Sequence, residues 1–428
     1  MKRIRLPRNI SLNAVFVYIA LFCVSTFALL EHITVTIGAF SPIKLYLMYV
    51  GFICILTQIN TISRNILKKK YFYTLLAVFV FCVLLGISML ANRGSALGMP
   101  LYNTVRFCLY LVELFALMIV LAETGRGQAA LKFLFWYTLL IVLVNDTLMF
   151  SRVITFGTVR HEGFIVGTKF SVSYLHMDLI TLWLMLYDPQ RRGGIGGKVR
   201  VLLALLFIVL VTIRVNCMTG LLGCILMAIL VTLLRMRRGV WMYKLASPGV
   251  LLLAIVASVV FMFLADAIVS ISGIRFIVET VLNRDTSITG RTNIYEMLVT
   301  NFQGHWLQGY GYGNGNEAAV TLFGYANVQN GLMQWVFQIG IPATFGMLAL
   351  FVQVFRSLKR SSKYKQMRVM PLVILIYIYI VLATIETTFN MAFIMWFALI
   401  FMLITEKQVI TSAQGIASSA QIQGVRRT

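Results

Sequence analysis

Apolar runs close to 20 residues long follow one another along most of this 428-residue chain, separated by short polar breaks. A helix needs about 20 such residues to cross the ~30 Å hydrocarbon core of a bilayer. The pattern predicts spans at 12–30, 42–60, 71–90, 101–122, 130–150, 170–187, 199–213, 217–234, 247–266, 331–355, 370–385 and 388–405. Two divisions rest on length. Residues 199–234 as one helix would measure roughly 54 Å at 1.5 Å per residue, too long for a single crossing. The polar break "RVNCMTG" (Arg214 to Gly220) is therefore read as a hairpin tip. The same reasoning divides 370–405 at "IETTFN" (Ile385 to Asn390). The expected fold is all-α: one polytopic transmembrane domain over 1–428, with a long polar loop region at 267–330 and a disordered tail at 410–428. The first apolar run has a basic flank but no small-residue cleavage site after it, and reads as a retained span.

Composition narrows the class. Hydrophobic residues make up 60% and charged residues 12%, which excludes an ordinary soluble domain. The net charge of +23 would suit nucleic acid, but most of the 37 basic residues fall in every second connection between spans. That alternation is the bias of cytoplasmic loops, so both termini are expected in the cytoplasm and 267–330 on the far side, with no nucleic-acid partner. The six cysteines (Cys23, Cys54, Cys82, Cys108, Cys217, Cys224) show no metal-binding or disulfide-framework spacing.

The basic residues that break the alternation are Lys44, Arg93, Arg106, Arg152, Arg160, Lys169, Arg214, Arg275, Arg284 and Arg291. Several lie in "SRVITFGTVRHEGFIVGTKF", "RVNCMTG" and the long loop. Arginine's planar fork matches phosphate oxygens, so such a group at a membrane face suits a lipid-linked phosphate. Arg291 opens a segment with Ile294, Leu298 and Phe302 on one stripe, which puts it at a helix N-terminus, where anions are favoured. Arg214 is expected at a hairpin tip near membrane level.

"GYGYGNGN" (Gly309 to Asn316) is not a dinucleotide fingerprint, because no strand precedes it and no GK[ST] follows. Its glycines permit close backbone approach and Tyr310 and Tyr312 offer flat faces, a combination that suits a sugar ring. Acid–base candidates beside the loops are Glu296, Glu317, Glu162, His161 and His305. Asp178 and Glu113 fall within spans, where ionisable groups are costly. Asp146 and Glu386 stand near helix ends, where solvation is the simplest reading.

The run "TGRTNIYEML…LQGYGYGNG…NVQNGLMQWVFQIGIPATFGMLALF" resembles the signature of the O-antigen polymerase and ligase superfamily. Members show an arginine before a Trp/Tyr helix, then GxGxG, a loop ending in His-Asn, and a span opening LxxxxxxGxxG. Here those are Arg291, Tyr295, Gly309 to Gly313, Gln329–Asn330, and the span from Leu332 through Gly340 to Gly346. "GFIVGTKFSVSYLHMDLI" and "NCMTGLLG" resemble further family stretches. The likeness covers about residues 150–355.

The resemblance implies transfer of a polyprenyl-pyrophosphate-linked oligosaccharide to an acceptor hydroxyl, without metal or other cofactor, at the outer face of the bacterial plasma membrane. Membrane lipid and a chain-length regulator are the further partners it suggests. The implied catalytic residues are Arg291 with Glu317, Glu296 or His161 as base. Arg160, Lys169, Arg214, Arg284, Tyr310, Tyr312, Gln329 and Asn330 would bind substrate. The family histidine is Gln329 here, which cannot act as a base at neutral pH. That departure favours a repeat-unit polymerase for capsule or O-antigen over a ligase. A flippase for the same lipids would carry basic residues through a central cavity and show two related halves, which are not visible.

Overall fold

The computed structural model describes residues 11–33, 37–94, 100–151, 156–158, 161–187, 195–235, 239–272, 291–302 and 304–407. The tail 410–428, Arg160 and Arg284 lie outside the described residues. For Arg291 and His161, only the backbone is described.

The protein is helical, with one short antiparallel hairpin. Its helices are α1 Leu12–Leu29, α2 Phe40–Leu56, α3 Ile59–Ile66, α4 Lys69–Ala91, α5 Pro100–Glu123 and α6 Gly127–Ser151. The hairpin pairs β1 Phe156–Thr158 with β2 His161–Gly163. Then come α7 Lys169–Tyr187, α8 Ile195–Arg214, α9 Met218–Arg235, a 3₁₀ segment Gly239–Ala246 and α10 Pro248–Val269. The remainder is α11 Arg291–Asn301, α12 Gly315–Phe323, α13 Gly331–Arg360, α14 Lys363–Leu382 and α15 Met391–Thr405.

Each of the twelve apolar segments expected as a span is a helix, with ends shifted by a few residues. Among the described residues, seven of these helices are long and apolar enough to cross a membrane, and four others are shorter apolar helices. The protein is a membrane-embedded all-α chain. The short α3 is separate from α2 and is amphipathic, with Arg64 in its last turn.

The layering follows hydrophobic pattern. α15 and the part of α14 from Val369 on are apolar all round and buried almost along their whole length, as a helix with no polar face must be. They form the centre of the bundle with α5 and α13. The outer helices show lipid-type faces, such as Leu202, Leu206 and Leu210 on α8 and Leu253 and Phe263 on α10, all exposed. Asparagine caps set the starts of the central helices: Asn330 Oδ1 accepts from Met333 N and Asn390 Oδ1 from Phe393 N.

One end of the bundle is a charged lock. Glu123, at the end of α5, accepts from Lys70 Nζ and the Tyr71 hydroxyl, both at 2.8 Å, and pairs with Lys407. Glu406 pairs with Arg368 at 2.6 Å and accepts from Gly127 N at 2.7 Å. The ends of α4, α5, α6, α14 and α15 therefore share this basic face. Gly331, Ala383, Glu31 and Met391 meet at the opposite, loop face.

The long loop is not a free polar excursion. α13 has 30 residues, about 45 Å of helix, beside the 20 residues of α14, about 30 Å. Their ends nevertheless meet, with Gly331 N bonded to Ala383 O at one end and Gln366 Nε2 to Leu358 O at the other. α13 is broken at Gly340 (φ 76°, ψ 170°), next to Pro342, which has no N–H. The glycine run fills the break: Tyr310 N donates to Phe337 O and Ile341 N to Trp306 O. Ser88 Oγ and Asn92 Nδ2 of α4 both reach Gln308 O. Gly309, Gly311 and Gly313 all have positive φ, which only glycine adopts readily.

Candidate functional site

Five stretches that the sequence separates widely converge at the loop face. α11 packs its stripe of Ile294, Leu298 and Phe302 inward, as its spacing predicts, and begins at Arg291. One turn on, the Tyr295 hydroxyl reaches Gln329 O at 3.1 Å and Thr384 O at 3.3 Å. It thus ties α11 to the start of α13 and the end of α14. Gln329 has φ 57°, a left-handed conformation that non-glycine residues rarely adopt and that concentrates at functional positions. Its side-chain Nε2 donates to Asn327 Oδ1 at 2.6 Å, and its backbone N bonds the same oxygen at 2.9 Å.

The hairpin tip between α8 and α9 supplies Cys217, which is buried. Its Sγ accepts from Gly220 N at 3.3 Å. Gly220 leaves room for Ser173 of α7; any Cβ there would meet the serine hydroxyl. Burial pushes the Cys217 thiol up. The Ser173 hydroxyl, the Gly220 amide and the charge of Lys169 oppose that rise, and the charge of Glu386 adds to it. Lys169 and Glu386 are thus both within electrostatic reach of one sulfur. Glu386 is 6% exposed, and its Oε1 accepts from Thr387 N at 3.2 Å. The result is a lysine and a buried carboxylate near Cys217, and that carboxylate, Glu386, is two residues along the chain from the Thr384 carbonyl that Tyr295 of α11 reaches. That set can hold an anion and move a proton. Among the described residues no group of three or more His, Cys, Asp or Glu is gathered to hold a metal.

Several residues expected to bind or react do other work. Tyr312 stacks on Phe107 at 4.5 Å with rings 20° apart and lies 5.9 Å from Trp335, and burial pushes its phenol well up. Tyr310 stacks on His305 at 4.2 Å and packs on Phe337 at 4.7 Å. The flat faces proposed for sugars are in contact with other rings. Asn330 is fully buried and caps α13, with Nδ2 donating to Ser258 O at 3.1 Å. Its amide holds the fold rather than a ligand.

Arg214 is exposed as the last residue of α8. A cation there is favoured by the helix dipole, so its charge needs no anion to explain it. Glu296 and Glu317 are both exposed. Glu317 sits in the first turn of α12, where a negative charge is favoured by the same dipole.

Two of the acids within or near spans, Asp178 and Asp146, are structural partners. Asp178 accepts from the Tyr379 hydroxyl at 2.7 Å, joining α7 to α14. Asp146 is buried against His176, with Oδ2 2.9 Å from Nε2, and is not a solvated helix-end acid. Glu113 is buried with no hydrogen-bond partner for Oε1 among the described residues. Glu386, which the sequence presents as a solvated helix-end acid, is buried instead, and a carboxylate interrupting an apolar hairpin was the available signal. Lys44 and Arg106 stand in the sequence only among the basic residues that break the alternation, with no binding role assigned to either. The chain matches no protein-family model and no curated protein sequence.

Proposed function

We propose that this protein is a polysaccharide polymerase acting on polyprenyl-pyrophosphate-linked repeat units at its loop face, which on this reading lies outside the bacterial plasma membrane. The observation that carries the reading is the convergence of Lys169, Cys217, Tyr295, Gln329 and Glu386 at one end of the bundle. Lys169, Cys217, Tyr295 and Gln329 come from the segments whose order resembles the polymerase and ligase superfamily, and Glu386 joins them from beyond that stretch.

The chemistry follows from charge. An acceptor hydroxyl oxygen bonds to the anomeric carbon of the donor sugar while the bond from that carbon to the pyrophosphate oxygen breaks. The departing pyrophosphate takes the electron pair. Lys169 and the N-terminus of α11, where Arg291 stands, stabilise that growing negative charge. Glu386 accepts the hydroxyl proton, a role its burial suits better than the exposure of Glu296 or Glu317 does. Gln329 positions rather than reacts, because its amide is tied to Asn327.

The test is incubation of purified protein in lipid nanodiscs with a lipid-linked repeat unit. A ladder of longer glycans on the lipid is expected. Folded protein that makes no ladder overturns the reading, and single transfer to a lipid-core acceptor would identify a ligase.

A further inference from the structure

A second charged cluster lies at the loop face between α1, α2 and α5, apart from the residues assigned above. Lys44 of α2 is 7% exposed. Its Nζ donates to the backbone carbonyls of Leu30 and Glu31, each at 3.2 Å, leaving a third N–H. Arg106 of α5 is partly buried, with its guanidinium 5.4 Å from the Phe27 ring and 5.6 Å from the Tyr102 ring. Lys44 Nζ lies 5.0 Å from the same Phe27 ring, so two cations flank one aromatic side chain. Among the described residues neither cation has an ion-pair partner, and none of the guanidinium N–H groups has a hydrogen-bond acceptor. The nearby acid, Glu31, directs Oε2 to Met391 N at 3.0 Å.

Two cations beside one ring repel each other, Glu31 acts on Lys44 only without direct side-chain contact, and a partly buried guanidinium with no acceptor is costly to keep. Aromatic faces alone offset this only in part. An oxyanion removes both costs, because guanidinium and ammonium donors together match its oxygens. The side from which it enters is also readable. Tyr102, Tyr46 and Ile43 are exposed, so this part of α2 and α5 faces the bundle's surroundings. Arg106 lies six residues into α5, about 9 Å from its loop-face start, near headgroup depth.

We propose that Arg106 and Lys44 form a phosphate-binding site for a lipid headgroup entering laterally from the loop-side leaflet. Tyr312 connects this site to the glycine run: its hydroxyl feels the charges of both Glu31 and Arg106. The inference goes beyond the polymerase reading and needs no turnover to test.

Native mass spectrometry of the detergent-purified full chain, titrated with farnesyl phosphate, measures the binding. Farnesol and inorganic phosphate are the two control ligands. The Arg106→Gln variant should bind farnesyl phosphate roughly 10- to 100-fold more weakly, as loss of charged hydrogen bonds predicts. Arg106→Lys should retain part of the affinity, and farnesol should bind all forms alike. Since Lys44 is buried, Lys44→Met is compared only after a thermal melt shows it folded. Unchanged farnesyl phosphate binding in Arg106→Gln overturns the site. Inorganic phosphate binding as tightly as farnesyl phosphate overturns the lipid as its source. If Arg106-dependent binding persists in a protein that makes no glycan ladder, this site stands while the polymerase reading falls.

Discussion

The amide of Tyr310 donates to the carbonyl of Phe337 at 2.9 Å, the carbonyl that Ile341 would claim in an unbroken α13. Ile341 N turns instead to Trp306 O at 2.8 Å. The glycine run thus completes the hydrogen bonding of a broken helix, which backbone near membrane depth requires. It is a structural insert, and among the described residues of the loop α11 and α12 carry the exposed carboxylates Glu296 and Glu317.

Gly340→Ala should therefore damage the fold more than Gly304→Ala. Both positions have positive φ, 76° and 82°, so both substitutions are strained by at least roughly 1–2 kcal/mol, and ψ 170° puts Gly340 in a region essentially confined to glycine. At Gly340 a Cβ would also run into Leu307 O, whereas at Gly304 nothing lies within 4 Å. Thermal melts of both variants in detergent check this. Equal losses would show that the run does not sit in the break.

Glu386→Gln should lower polymer formation by ~10²–10⁴-fold, the range expected for losing a general base. Glu296→Gln and Glu317→Gln should stay near wild type, since both carboxylates face solvent. The ladder assay at matched protein levels decides. An active Glu386→Gln beside a dead Glu296→Gln or Glu317→Gln returns the base to the loop surface.

Gln329→Ala should keep activity within ~10-fold of wild type, about the value of one hydrogen bond. Gln329→Gly should be thermally more stable than Gln329→Ala by about 1 kcal/mol, because both lose the amide bond to Asn327 and only glycine accepts φ 57° without steric cost. In the same assay Arg291→Ala should abolish polymer and Arg291→Lys rescue it partly, since an ammonium lacks the bidentate fork. A dead Gln329→Ala would place its amide in the reaction.

Cysteines introduced at Thr321 and Lys359 report sidedness, as both positions are exposed at opposite ends of the bundle. With Cys217 replaced, an impermeant thiol reagent added to intact cells should label Thr321→Cys and spare Lys359→Cys. The reverse result would put the loop face in the cytoplasm.

The sequence by itself determined the membrane class, the twelve apolar helices and the hairpin divisions at Arg214–Gly220 and Ile385–Asn390. Hydrophobic length and local breaks carry that information, and both are properties of contiguous residues. It also determined the inward stripe of α11, because helical spacing alone sets which residues share a face. Only the tertiary structure decided what each loop residue does. Tyr312 reads as a free aromatic platform until Phe107 and Trp335, far away in the chain, are packed against it. Asn330 reads as a ligand until Ser258 claims its amide. Glu386 reads as an ordinary helix-end charge, and Lys44 as a basic residue that breaks the alternation, until the bundle buries them, and burial depends on neighbours that no local pattern specifies.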